Sequence, residues 1–411
     1  MNKTLIIIAF LFSIIVTSEA CTTAVISGKY TKDGRPLLYK NRDTWAINNR
    51  IMYFNDAKYE YMGLVNSKDS LGKSLWIGMN EMGFSIMNSA SYNLNIGDTT
   101  KLNGLEGRIM KHALATCATV NDFEEYLASL EKPTRLEANF GVIDANGGAI
   151  LFELNNQKFV KFDANDATVA PYGYILRTNY SFTGSFGEES SGYIRQNTVD
   201  DLFYNALSTN SFDAQFIMQD VTRGLKHSLL KTDLYLKYGG IPENTDTYTF
   251  FHDFIPRQSS SSACVVQGVK KDENPEFTTL WSAVGFPLTS IVIPTWLKAK
   301  NDFPDVLKID KELNDSPICD AALTLKKEVF PIRWGKFATK FYININSLVN
   351  ADKTGIRQKI KVDEDVIFLE SNMKLEKWRS DGMEQSDVIE FNKWLNDFVK
   401  KSYKNNFNLN L

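Results

Sequence analysis

Cys21 is the residue whose type and position most directly suggest chemistry in this chain. It follows Ser18-Glu19-Ala20, which places small residues at the two positions that a signal peptidase reads. If the chain is cut after Ala20, Cys21 becomes the first residue and carries both a thiol and a free α-amine. A thiol attacks as its thiolate, and an α-amine with a pKa of about 7.7 to 8.0 accepts a proton near neutral pH. Cys21 would then supply nucleophile and base together.

Residues 1–20 have the composition of a signal peptide. Lys3 precedes an apolar run over residues 5–16 that is too short to span a bilayer as an ordinary helix. We therefore predict that residues 1–20 are removed, that the protein is exported to the periplasm or the extracellular space, and that no internal self-cleavage is needed. Lipidation of Cys21 is the alternative, although Ser18 and Glu19 differ from the usual residues before a lipidated cysteine. A lipid would block the amine.

The four cysteines favour no metal or redox site. Cys21, Cys117, Cys264 and Cys319 include no C-x-x-C pair and are too few for a disulfide framework. A structural disulfide at Cys21 remains an alternative for an exported protein. The three histidines are expected to be structural, since an N-terminal amine needs no separate base.

Composition excludes several classes of partner. The chain has 46 Lys and Arg against 49 Asp and Glu, so its formal net charge of -3 indicates neither a nucleic-acid partner nor an anionic membrane surface. Hydrophobic residues make up 43% of the chain, which is enough for a large core. We expect no membrane contact after leader removal, and the oligomeric state is left open.

A hairpin near the N-terminus would position Cys21. Residues 22–27 alternate in the period-2 manner of a strand, residues 32–35 have turn composition, and residues 37–42 read as a second strand. The returning strand would bring Asp43 beside Cys21.

The remaining pattern predicts an α+β fold. Strand-like segments and hairpins stand at both ends of the main region with helices between them, which fits two antiparallel sheets sandwiched by helix layers. Residues 104–130 predict two helices, with Asn121 as cap of the second. We divide the chain into a core over residues 21–296 and a helical C-terminal extension over residues 297–411. Further helices are predicted at 200–207, 212–230, 307–313 and 386–403.

Several segments together resemble a known family. Cys21-Thr22-Thr23, Lys40-Asn41-Arg42-Asp43 and Arg177-Thr178-Asn179-Tyr180 look like the N-terminal-nucleophile amide hydrolases, which include choloylglycine hydrolases, penicillin V acylases, acid ceramidase and the acyl-coenzyme A:6-aminopenicillanic acid acyltransferase family. Residues 138–145 and 281–285 look most like bacterial members of the acyltransferase-like branch. The resemblance covers about residues 21–296, and its specificity lies in the order of the segments.

The resemblance implies roles for four residues. Cys21 would be the nucleophile with its own amine as base, and Asp43 would hold that amine. Asn179 would bind the oxyanion of the tetrahedral intermediate, and Asn88 matches a second asparagine that binds substrate or oxyanion. The αββα fold of the family is implied too, and neither a metal nor an organic cofactor is.

The chain departs from the family motif at its arginines. Lys40 stands where the family usually has arginine three residues before the aspartate, and Arg42 lies next to Asp43. A cation near the thiolate is kept, although lysine cannot form the bidentate fork of arginine. A further family arginine has two candidates here, Arg195 and Arg257, of which Arg195 is the better match.

Aromatic residues near these motifs are candidates for contact with substrate. They are Tyr39, Trp45, Tyr92 and Phe182.

Each motif residue also has an ordinary structural interpretation. Asp43 could be a turn residue, Asn88 could satisfy backbone groups at a strand end, and Arg195 and Arg257 could be surface groups. Asn179-Tyr180-Ser181 is formally a glycosylation sequon.

The expected function is hydrolysis of a linear amide outside a peptide chain through a Cys21 thioester. The substrate would be a small-molecule acyl amide such as a conjugated bile acid, an N-acyl amino acid or a penicillin-type side chain. The alternatives are an acyltransferase that passes the same acyl group to an amine, and a non-catalytic exported binding protein or lipoprotein.

Overall fold

The computed structural model describes residues 20–185, 191–335 and 337–411. The predicted signal peptide, apart from Ala20, lies outside the described residues. In the described ranges the strands are β1 (Ala20–Ile26), β2 (Leu37–Asp43), β3 (Asn49–Phe54), β4 (Tyr61–Asn66), β5 (Ile77–Asn80), β6 (Ser85–Ala90), β7 (Ala138–Ile143), β8 (Ala149–Leu154), β9 (Phe159–Asp163), β10 (Tyr174–Arg177), β11 (Lys226–His227), β12 (Thr232–Asp233), β13 (Tyr248–Phe250), β14 (Ser260–Gln267), β15 (Thr279–Val284), β16 (Ile293–Thr295) and β17 (Tyr342–Asn344). The α-helices are α1 (Glu106–Thr116), α2 (Val120–Ser129), α3 (Tyr193–Ser208), α4 (Ala214–Phe216), α5 (Leu234–Tyr238), α6 (Pro317–Val329), α7 (Ile356–Asp381) and α8 (Gln385–Phe407).

Two large antiparallel sheets form the centre of the fold. The first has the strand order β10-β1-β2-β14-β15-β16, and the second runs from β3 to β9 in sequence order. Strands β5 and β6 form a hairpin, and Gly83 in the turn between them has a φ of 76° that favours glycine.

Each sheet is buried on both faces. Between the sheets, Val25 and Leu38 of the first sheet belong to one apolar cluster with Met87 of the second. On the outer face of the first sheet, Ala24 packs with Phe203 of α3. Helices α1 and α2 cover the outer face of the second sheet through the following residues: Ile109, Met110, Ala113, Leu114, Phe123 and Leu127. The predicted α+β fold of two sheets between helix layers is confirmed.

The C-terminal segment is helical and shares the central core. Ile318 of α6, Ile360 of α7 and Val399 of α8 belong to the same buried cluster as Val25 of β1. The boundary drawn at residue 296 stays a prediction. Among the described residues, no helix is both long and apolar enough to cross a membrane.

Three local predictions were wrong. Residues 212–230 form only α4 and a π-helical turn, Ile217–Val221, before the chain leaves the helical path at Gly224. Glycine is a poor helix former, and Arg223 is drawn inward to the Pro287 carbonyl, 2.8 Å away. Residues 307–313 contain no α-helix, because the chain turns back there to pair Asp310 with Asp315.

The cap of α2 is also not the predicted one. Thr119 caps this helix, and its side chain and that of Asp122 form a reciprocal capping box, whereas Asn121 lies inside the helix. The helix prediction for residues 386–403 is confirmed by α8.

Candidate active site

The predicted N-terminal hairpin places Cys21 in the middle of a sheet. Strand β1 lies between β2 and β10, with Cys21 directly opposite Arg42 and Ala20 opposite Asp43. Since β1 and β2 are both fully buried along their length, the site residues on them have fixed positions.

Alternation along β2 divides its polar residues between two faces. Tyr39 belongs to the apolar cluster under α3, and Leu38 belongs to the cluster between the sheets. Because side chains alternate along a strand, Asp43 follows Tyr39 to the outer face, while Lys40 and Arg42 point between the sheets. The same rule places the Cys21 thiol between the sheets, since Val25 of β1 lies there.

Arg195 joins the elements of the outer face. Its guanidinium is fully buried, and Nη1 donates to the Cys21 carbonyl at 2.8 Å and to Thr22 Oγ1 at 2.6 Å. Nη2 donates to Asn179 Oδ1 at 3.0 Å, and Nη1 lies 4.0 Å from Asp43 Oδ2. Burial first, then the neighbouring Arg257, lowers the pKa of Arg195 to about 10, so the group stays cationic at neutral pH.

Asp43 is a buried carboxylate between two arginines. Ser260 Oγ donates to its Oδ1 at 2.5 Å, and Arg257 Nη1 lies 3.8 Å from its Oδ2. Burial raises the pKa of Asp43, and Arg257, Arg195 and the Ser260 hydrogen bond oppose that shift. Oδ2 is buried and has no hydrogen-bond partner among the described residues. We call Asp43, Arg195, Arg257 and Ser260 the outer cluster.

Asn179 holds the backbone nitrogen of Cys21. Its Oδ1 accepts from Cys21 N at 3.0 Å, and its Nδ2 donates to the Ala90 carbonyl at 3.1 Å. The structure thus places the Asn179 side-chain oxygen against the Cys21 nitrogen.

The segment after Asn179 is fixed by an ion pair between the sheets. Arg177 Nε donates to Glu153 Oε1 at 2.6 Å, and both side chains are buried. Glu153 also accepts from the backbone nitrogens of Phe182 and Thr183, each at 2.8 Å. This ion pair therefore fixes the position of the residues that carry Asn179.

The face between the sheets carries a second group of polar residues. Lys40 Nζ donates to the Asn88 carbonyl at 2.7 Å and to Asn88 Oδ1 at 2.6 Å. Arg42 stacks on the ring of Trp76 at 4.4 Å and donates to Asn49 Oδ1 at 2.6 Å. We call Lys40, Arg42, Asn88 and Trp76 the inner cluster. Its cation opposite Cys21 is Arg42, whereas Lys40, which the motif singled out, lies opposite Thr23.

The four aromatic candidates are spread over different environments. Tyr39 is fully buried, and burial raises its pKa well above the usual range. Trp45 is 61% exposed, and Phe182 is 44% exposed with its ring 3.8 Å from the Arg177 guanidinium. Tyr92 is half-buried, and its backbone nitrogen donates to the Asn179 carbonyl. Phe182 stacks on Tyr180, with ring centroids 5.8 Å apart.

Sequence reasoning missed residues that support the site from distant segments. Glu153, Ser260 and Lys326 contact the site only after the sheets and α6 are in place. Of these, only Ser260 carried a signal, because it lies in a serine run beside Arg257.

The described residues were also searched for metal sites, disulfides and catalytic histidines. No group of three or more His, Cys, Asp or Glu side chains there could hold a metal ion. None of the four cysteines, all of which are described, forms a disulfide. Of the histidines, His112 packs on Tyr126 and His227 on Phe254.

Comparison with known proteins gives structural neighbours only. No family model matches the chain, and no characterised protein matches it by sequence. A variant of the conjugated bile acid hydrolase from Clostridium perfringens matches with 14% identity and a TM-score of 0.35, covering 67% of this chain and 92% of that one. The N-acylethanolamine-hydrolyzing acid amidase orthologue of Caenorhabditis elegans matches with 14% identity and a TM-score of 0.35, covering 47% and 82%.

A third neighbour is the penicillin V acylase from Agrobacterium tumefaciens. It matches with 12% identity and a TM-score of 0.34, covering 67% of this chain and 86% of that one. All three TM-scores are below 0.5.

Proposed function

We propose that the protein is an exported cysteine amide hydrolase of the N-terminal-nucleophile type, with Cys21 as nucleophile after removal of residues 1–20. The main support is the set of contacts around Arg195, which binds the Cys21 carbonyl and Asn179 Oδ1 while lying 4.0 Å from Asp43. Cys21, Asp43 and Asn179 come from the three segments in which the sequence motifs lie. Export is supported by the leader-like composition of residues 1–20.

Cleavage after Ala20 would convert the Cys21 amide nitrogen into an amine beside Asn179. The nitrogen already donates to Asn179 Oδ1 at 3.0 Å, and Ala20 is the strand partner of Asp43. The new amine would carry one hydrogen more than the amide, and the buried Asp43 Oδ2 is an acceptor whose desolvation costs free energy until it is satisfied. Asp43 would thereby hold the amine in place.

The reaction would begin with transfer of the Cys21 thiol proton to this amine. The thiolate attacks the amide carbonyl carbon, and the resulting tetrahedral intermediate collapses as its C–N bond breaks. The leaving amine takes the proton from the α-ammonium group, which leaves an acyl thioester on Cys21. Water then gives one proton to the α-amine, attacks the thioester and releases a carboxylic acid and the thiol.

Asn88 is suited to stabilise the oxyanion on the inner face. Lys40 holds its Oδ1, which directs the donor end of the amide away from that lysine. Arg42, directly opposite Cys21, supplies the cation that favours the thiolate. Asn179 is the second candidate for this role, as the sequence motif implies.

The acyl group and the amine remain to be identified by experiment. Conjugated bile acids, N-acyl amino acids and penicillin-type side chains form the first substrate panel. Trp45, Tyr92 and Phe182 have exposed surface near the motif residues and are proposed to contact the acyl chain.

The proposal is tested on protein secreted by an expression host. We expect an intact mass that lacks residues 1–20, one alkylation by iodoacetamide at Cys21, and turnover of at least one panel amide that Cys21→Ala abolishes. Secreted Cys21→Ser protein is the control, because it can lose residues 1–20 but carries no thiol at this position. A lipidated or internal Cys21, or turnover that survives Cys21→Ala, would overturn the mechanism.

A product analysis separates the two enzymatic alternatives. Hydrolysis gives the free acid whether or not an amine is added. An acyltransferase would give a new amide when hydroxylamine or a second amine is present in millimolar amounts, with the free acid reduced in proportion.

A further inference from the structure

Helix α6 of the C-terminal segment reaches the outer cluster through one side chain. Lys326 Nζ donates to the Gln258 carbonyl at 2.5 Å and lies 4.8 Å from the centre of the Phe286 ring. The residue is partly buried, whereas its neighbour Lys327 is exposed. Lys326 is therefore directed toward the first sheet rather than toward solvent.

The carbonyl that Lys326 binds belongs to the turn that holds Asp43. Within this turn, the Arg257 nitrogen donates to Ser260 Oγ at 2.8 Å and the Ser260 nitrogen donates to the Arg257 carbonyl at 2.9 Å. Ser260 Oγ then donates to Asp43 Oδ1 at 2.5 Å. Gln258 lies inside this closed turn, so a shift of its carbonyl would move both groups that contact Asp43.

Charge couples Lys326 to Asp43 as well. Burial is the largest effect and lowers the pKa of Lys326 to about 8, while Asp43 opposes that shift. In return, the Lys326 cation is one of the groups that lower the pKa of Asp43 against the effect of burial. The carboxylate is thus stabilised by a residue that lies 283 positions away in the chain.

The same helix supports the inner cluster. Cys319 Sγ accepts from the Asn49 nitrogen at 3.4 Å, and Ser316 Oγ, at the start of α6, donates to the Asn49 carbonyl at 2.7 Å. Asn49 Oδ1 in turn accepts from Arg42 Nη1 at 2.6 Å. Helix α6 therefore contacts residues that support both the outer and the inner cluster.

We propose that α6 is part of the active site, with Lys326 as a positioning residue that fixes the Arg257–Ser260 turn and through it Asp43. This inference rests on the proposed function, because Asp43 must act on the Cys21 amine for its position to matter. The C-terminal segment would then be required for catalysis and not only for stability.

The test compares Lys326→Met with Lys327→Met in the full-length secreted protein. For Lys326→Met we expect a loss of about 10- to 100-fold in kcat with little change in KM, since a displaced catalytic group can cost that much. The pH at which Cys21 becomes half-reactive toward iodoacetamide should also shift. Lys327→Met should match the unsubstituted protein in both measurements, and Lys326→Arg should recover part of the loss.

Two further measurements keep the outcome clear. If Lys326→Met does not fold, Lys326→Gln tests the charge with a side chain that still donates a hydrogen bond. A folded Met or Gln variant with unchanged kcat and an unchanged alkylation profile overturns the role of Lys326. If the unsubstituted protein neither turns over an amide nor reacts at Cys21, the proposed function itself has failed, and the two failures are distinguishable.

Discussion

The two faces of strand β2 carry side chains of opposite charge. On the outer face, Asp43 is enclosed with Arg195, Arg257 and Ser260, so a carboxylate is held among cations and a short hydrogen bond. On the inner face, Lys40 binds the neutral amide of Asn88. A single strand thus supplies an acid to one side of the sheet and a cation to the other.

The two faces of β2 explain how the short motif over residues 40–43 can serve two steps of one reaction. Alternation along β2 sends Asp43 toward the backbone nitrogen of Cys21, and sends Arg42 toward its thiol. The outer cluster should therefore control protonation of the N-terminal amine. The inner cluster should control charge on the thiolate and on the oxyanion.

The largest effect is expected for Arg195→Met, because its guanidinium binds the Cys21 carbonyl and Asn179 Oδ1. We expect loss of more than about 100-fold in kcat and destabilisation of about 3 to 5 kcal/mol, since removal of one partner leaves a buried charge uncompensated. Urea unfolding and steady-state turnover measure the two effects. Lys226→Met, at an exposed position, is the control, and an Arg195→Met protein with normal turnover would contradict the division of roles.

Asn88→Ala tests the inner face alone. Loss of one oxyanion donor typically costs on the order of 100-fold in kcat, and we expect that loss without a change in the pH dependence of Cys21 alkylation. Asn103→Ala, at an exposed position, is the matched control. A shift in the alkylation profile of Asn88→Ala would contradict the assignment of Asn88 to the oxyanion and not to the thiolate.

Arg257→Gln should change pH dependence more than maximal rate. After burial, Arg257 is the strongest influence on Asp43, and it lowers the pKa of that carboxyl. Without Arg257 the pKa of Asp43 rises further, so a higher pH is needed to form the active carboxylate and the acid limb of kcat/KM moves upward. A pH series on both proteins measures this shift, and Asn88→Ala from the inner cluster, which removes no charge, should leave the acid limb in place.

Much of the frame could be predicted from the sequence because its signals are local. Strand alternation, the turn composition of residues 32–35 and the spacing of apolar residues depend on neighbours in the chain, and these signals predicted the N-terminal hairpin and the α+β class. The motif residues Cys21, Asp43 and Asn179 do meet in the structure. Their catalytic roles stay predictions.

The supporting residues could not be predicted because their roles arise from packing. Glu153 and Lys326 are ordinary charged residues in sequence, and each acquires its contact only when a second sheet or α6 lies beside the first sheet. The failed helix over residues 212–230 has the same origin. Its apolar residues are spaced as in a helix, but the π-helical turn ends at Val221 and the buried Arg223 side chain binds the Pro287 carbonyl.

The smallest effect is expected for Trp45→Ala, which tests whether a residue just outside both clusters affects catalysis. Trp45 lies just beyond β2, is 61% exposed and belongs to neither cluster, so stability should change by no more than about 0.5 kcal/mol. If its ring contacts the acyl chain, KM rises with kcat unchanged, because lost uniform binding leaves the chemical step intact. Turnover over a range of acyl lengths measures this, with Trp334→Ala, at a tryptophan that is 87% exposed, as control. A fall in kcat would instead place Trp45 among the residues that act on Cys21 itself.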